Sequence, residues 1–222
     1  MKKYILLILV FLTLNLFNSG LTLLYSQNLK DSDGNLYSIV TIGKQVWMAE
    51  DLKTTKFNDG KKISLVSDDK KWKQLKTPAY CWFENDSTNK EDYGALYNWY
   101  TVNTKKLCPA GWHVPSDIEW GTMISSLGDI DTRAEKLKIT GNEFWKGTIS
   151  VANNETGFSA LPGGMRYEAG SFPLFGRNFA VWWSSTGSNN FAWNRGLYYT
   201  SSKTFRGHED MRSGFSVRCI KD

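Results

Sequence analysis

Apolar residues are distributed along this chain in three ways: as one continuous run, in alternation, and at helical spacing. The run comes first. Residues 4–17 are almost wholly apolar, interrupted mainly by Thr13 and Asn15, and they follow the basic pair Lys2 and Lys3. A basic head on a short apolar stretch is the pattern of an export signal. Asn15, Asn18, Ser19 and Gly20 break the run before it reaches the roughly 20 apolar residues a membrane span requires. Cleavage near Ser26 and Gln27 is therefore expected, with an uncleaved N-terminal anchor as the alternative. This reads residues 1–26 as a signal peptide and 27–222 as a single exported domain large enough for a substantial core.

Alternation follows. Asp31-Ser32-Asp33-Gly34-Asn35 is a turn, and the β-branched and aromatic residues at 36–42 and 45–48, separated by Gly43, predict a β-hairpin. The Lys-rich stretch 67–76 reads as a solvated loop leading to a strand at 79–83. Leu96, Trp99 and Tyr100 predict a short helix over 93–102. Ser116-Asp117-Ile118-Glu119 matches a capping box, and Trp120, Met123, Ile124 and Leu127 repeat at helical spacing behind it, with Gly128 placed to end the helix. A third short helix is expected at 132–139. Beyond Gly141 the chain turns to Gly, Asn, Ser and aromatics, with strand-like runs at 180–184, 191–199 and 215–220. No period of about 20 to 50 residues recurs. Strands, two or three short helices, then strands with long loops imply an α+β, loop-rich domain with a mostly antiparallel sheet.

Composition changes this picture in one respect, the ten Trp, ten Tyr and twelve Phe among 222 residues. Buried rings account for most of such an excess, and the remainder is available for stacking on a ligand. Charge adds little. The formal net charge is +5, Lys2 and Lys3 contribute two of it, and acids are interspersed with bases, so no stripe for nucleic acid forms. His113 and His208 are the only histidines and lack metal-ligand spacing. His113 is expected to be a packed structural residue and His208 an exposed loop residue. The Asp31 turn lacks the further acids of a calcium loop. No catalytic residue, metal or cofactor is expected.

The segment Cys108-Pro109-Ala110-Gly111-Trp112-His113-Val114-Pro115-Ser116-Asp117-Ile118-Glu119-Trp120 is distinctive. In order along the chain there are also Gln45-Val46-Trp47-Met48-Ala49-Glu50-Asp51-Leu52, Tyr93-Gly94-Ala95-Leu96-Tyr97-Asn98-Trp99, Gly157-Phe158-Ser159-Ala160-Leu161-Pro162-Gly163-Gly164, Trp183-Ser184-Ser185-Thr186 and Gly214-Phe215-Ser216-Val217-Arg218-Cys219. Together these resemble the Fibrobacter succinogenes major paralogous domain, an exported domain of Bacteroidetes and Fibrobacteres, over about residues 31–222. The family brings no established activity with it. The order of elements is also similar to C-type lectin-like domains and the formylglycine-generating-enzyme fold. The lectin-like resemblance implies a disulfide between Cys108 and Cys219, leaving Cys81 as a buried small hydrophobe. Formylglycine generation requires a dedicated cysteine pair that is missing here, so that activity is not implied. Calcium-dependent sugar binding is not implied either, because Trp193-Asn194-Arg195 is the only match to the lectin motifs.

The remaining candidates lie at 163–199, where Arg166, Tyr167, Arg177, Trp193, Arg195 and Tyr198 combine stacking faces with guanidinium forks. They suggest a non-catalytic recognition module, exported to the periplasm, cell surface or medium, whose partner is a glycan or a surface protein. A structural domain of a surface assembly is the alternative. An enzyme is the other alternative, and it requires a cleft uniting a pair such as Cys81 and His113.

Overall fold

The computed structural model describes residues 29–141, 143–145, 152–174 and 176–222, so the expected signal segment lies outside the described residues. β1 (Leu29–Lys30) and β2 (Leu36–Tyr37) flank the expected turn. There Asp31 Oδ1 accepts the amides of Asp33 and Asn35, both at 2.9 Å, and Oδ2 accepts the Tyr37 hydroxyl at 2.6 Å. β3 (Ile39–Ile42) and β4 (Gln45–Met48) form the predicted hairpin, with Ile39 opposite Met48.

After β5 (Ser64–Leu65), the expected solvated loop instead carries α1 (Asp69–Lys73). Asp68 caps it by accepting the Lys71 amide at 2.8 Å, and fully buried Trp72 fastens it to the core. β6 (Ala79–Cys81) ends two residues earlier than expected, because Phe83 begins a 3-10 turn. The helix expected over 93–102 is three elements: α2 (Lys90–Tyr93), β7 (Leu96–Asn98) and α3 (Trp99–Val102). Gly94 stops the first at φ 67°, where any Cβ would press on the Asp51 and Leu52 carbonyls. Asn98 restarts the helix by accepting the Thr101 amide at 3.1 Å.

β8 (Trp112–His113) precedes α4 (Asp117–Ser126). The predicted capping box is present: Ser116 Oγ accepts the Glu119 amide at 3.2 Å and Glu119 Oε2 accepts the Ser116 amide at 2.7 Å. α5 (Arg133–Leu137) is the expected third helix. β9 (Phe179–Ser188), β10 (Phe191–Tyr198) and β11 (Thr204–Asp210) form a three-stranded antiparallel sheet. The run expected at 215–220 is divided between β12 (Gly214–Phe215), beside β7, and β13 (Ile220–Lys221), between β4 and β8. Among the strands of the described residues only β5 and β6 pair in parallel, apart from isolated bridges such as Trp182 with Ser216. The result is an α+β fold of short helices and several mostly antiparallel sheets.

β9 separates two apolar clusters. Its period of two sends Val181 and Trp183 into one and Ala180 and Trp182 into the other. Of the ten Trp, only Trp112 and Trp193 escape burial, so the aromatic excess is mainly core. The first cluster also holds the disulfide between Cys108 and Cys219. Against the second cluster, beside Trp182 and Phe158, Asp51 and Arg218 form a buried ion pair at 2.6 Å.

Candidate functional site

The alternation of β10 decides which expected ligand residues can act together. Trp193 and Arg195 share one face with Leu197, while Asn194, Gly196 and Tyr198 share the opposite one. On the Trp193 face the Arg206 guanidinium lies 3.4 Å from the indole centroid, and Arg195 and Arg206 both bind Asp117, at 2.7 and 2.8 Å. Burial opposes ionised Asp117, yet the two arginines outweigh it and hold the carboxyl below its usual range. This cluster ties the sheet to the first turn of α4. His208, expected in an exposed loop, is exposed but belongs to β11, its ring lying against Phe191 and Trp193 at ring distances of 5.7 and 5.5 Å.

Arg166 and Arg177 lie elsewhere. Arg166 is fully buried. It donates to Val66 O at 2.6 Å, Ser67 O at 2.9 Å, Gly170 O at 2.6 Å and Asp69 Oδ1 at 2.8 Å, and it stacks on Trp72. Arg177 donates to Asn89 Oδ1 at 2.5 Å and covers the Tyr93 ring. Both guanidinium groups are engaged with the protein's own groups.

Tyr167 and Tyr198 both line a cleft of about 250 Å³, together with Phe179, Val181, Asn194, Phe205, Glu209 and Phe215. Tyr198 stacks on Phe205 at 4.8 Å and meets Phe179 edge-on at 6.2 Å. Gly196 makes room for this, since a Cβ there would overlap the Phe205 ring. Tyr167 and Tyr198 are 40% and 48% exposed, whereas Asn194 is 2% exposed and its Nδ2 has no partner. Such an amide is costly to leave dry unless something binds it. Phe179, Asn194, Phe205 and Glu209 were not foreseen. The signal was the alternation Phe205-Gly207-Glu209 in Thr204–Asp210, concealed because the segment is largely polar.

A second hollow, of about 340 Å³, is lined by Leu107, Cys108 and His113. His113 is a half-exposed ion-paired residue rather than a packed one, because both ring nitrogens find carboxylates: Nδ1 meets Asp222 at 2.6 Å and Nε2 meets Glu119 at 2.9 Å. Burial disfavours its charge, but the two carboxylates prevail and raise its pKa above the ordinary 6.5. A raised folded-state pKa stabilises fully below the unfolded value and fades as pH climbs through the folded one. His113→Gln should therefore destabilise by up to about 1 kcal/mol near pH 6, the range for exposed pairs, and by less at alkaline pH. Urea denaturation of both proteins across that range checks this, and a deficit that grows with pH contradicts it.

Cys81 sits in a third cluster with Trp72, Phe83 and Leu96, and burial pushes its thiol up to about 12. The sulfur and the His113 imidazole occupy different parts of the fold. Among the described residues no three or more His, Cys, Asp or Glu side chains are grouped to hold a metal ion, and no helix is long and apolar enough to cross a membrane.

The sequence model of the Fibrobacter succinogenes major domain matches residues 40–221. No curated protein and no solved structure matches the chain.

Proposed function

This chain belongs to the Fibrobacter succinogenes major domain family, and we propose that it is an exported recognition module that binds glycan in the Tyr167–Tyr198 cleft without covalent chemistry. The observation that carries the reading is the unpartnered amide of Asn194, buried beside aromatic rings. Rings offer flat faces to the C–H surface of a pyranose, and an amide offers a donor and an acceptor to its hydroxyls. A disulfide fits an oxidising compartment outside the cytosol, in keeping with the expected signal peptide. We also assign the chain a lectin-like architecture, supported by Cys108–Cys219 joining the region before α4 to the segment entering β13.

Glycan-array and calorimetric binding of the mature protein tests the reading. Tyr198→Ala and Asn194→Ala should each weaken binding about tenfold or more, near 1.4 kcal/mol. Trp193→Ala, on the other face of the sheet, should leave affinity unchanged. Loss in the Trp193 variant alone would move the site to the Arg206 face, and absence of glycan binding would remove the proposal.

A further inference from the structure

Resting on that reading, we propose that the glycan recognised in the cleft carries an amino sugar, its protonated amine seated against Glu209 and its hydroxyls meeting Asn194, two residues away in strand register. Glu209 is a solvent-exposed residue of the cleft wall, and its carboxylate has no hydrogen-bond or ion-pair partner among the described residues. The charged groups around it leave it unmatched. Its neighbour Asp210 is occupied by Arg212 at 2.7 Å. Arg166, although adjacent in sequence to Tyr167, turns away to Val66, Ser67 and Asp69. Arg195 and Arg206 are held by Asp117 on the opposite face of the sheet, and His208 packs on that face against Trp193.

Glu168 adds a second negative charge close enough to act on Glu209. Partial desolvation against the cleft wall first, then Glu168 and Asp210, raise the Glu209 carboxyl above its ordinary range, opposed by His208. A cation placed there relieves both the desolvation and the repulsion. The surrounding rings contribute in the same sense, since their faces attract a cation within about 6 Å. A neutral hydroxyl supplies none of the charge term, and a carboxylated or sulfated sugar meets repulsion. The geometry thus selects among glycans by charge.

Calorimetry on the mature protein at about pH 6, where a sugar amine keeps its proton, separates the possibilities. The probes are short oligomers of glucosamine, of N-acetylglucosamine and of glucose with the same linkage. The glucosamine oligomer should bind at least about tenfold tighter than the other two. That advantage should shrink as salt rises from about 0.01 to 0.3 M and disappear in Glu209→Gln, a near-isosteric change whose folding is verified by its melting curve. Equal binding of all three oligomers, or a preference that survives Glu209→Gln, overturns the amine assignment and leaves glycan recognition standing. Failure of every oligomer and of the wider array takes both down together.

Discussion

Replacing Cys108 and Cys219 together by alanine is expected to lower the unfolding free energy by roughly 4–5 kcal/mol, the chain-entropy value for a loop of about this length. The bridge spans a sequence separation of 111, so without it the unfolded chain regains a large ensemble while the folded state loses one buried contact. The loss has a preferred location. Cys219 enters β13, which lies between β4 and β8, and its carbonyl accepts the Met48 amide at 3.0 Å. Cys108 precedes β8, and its carbonyl accepts from Asn58 at 3.2 Å. Amide exchange in the double variant should therefore rise first along β13 and β8. Cys81→Ala, which removes a buried sulfur but no crosslink, should cost only about 1 kcal/mol. Denaturant midpoints for the three proteins decide the matter. A deficit below about 1 kcal/mol in the double variant means that the reduced unfolded chain is already compact and that the entropy account fails.

The elements that sequence foretold are those whose cause is local. The hairpin at Gly43 and the capped helix behind Ser116 need only their own residues, and both form as expected. The helix expected over 93–102 failed because its apolar spacing arises from two different periods. Leu96 is buried as a strand residue paired with Cys81, and Trp99 as the first residue of a separate turn. β11 was missed because six of its seven residues, all but Phe205, carry no strong apolar signal, and its pairing with β10 is a long-range event. The candidate site was half legible for the same reason. Tyr167 and Tyr198 were found as aromatic members of the one loop-rich stretch 163–199. Separating them from Trp193 and Arg195, and joining them to Phe205 and Glu209, requires the register of three strands.

Asp51→Ala should destabilise the fold by about 3–5 kcal/mol, the range for removing one partner of a buried ion pair. Its side chain and that of Arg218 are only 2% and 1% exposed. Asp51 Oδ1 accepts from Arg218 Nε at 2.6 Å and from Trp182 Nε1 at 2.8 Å. Arg218 also donates to the Phe158 and Ser159 carbonyls and lies 4.0 Å from the Phe158 ring centroid. The family motifs containing Asp51, Phe158 and Arg218, distant in sequence, thus converge on one charge pair against the second apolar cluster. Without Asp51 the guanidinium remains buried with no counter-charge, and that uncompensated charge, more than the lost attraction, sets the expected cost. The double variant Asp51→Leu/Arg218→Met removes both charges while keeping apolar volume, so it should cost less than Asp51→Ala despite changing more atoms. Urea midpoints of the two variants test this inversion. If the double variant is the less stable by more than about 1 kcal/mol, the pair contributes directional bonds to Trp182 and Phe158 that apolar packing cannot replace, and the desolvation argument gives way to a network one.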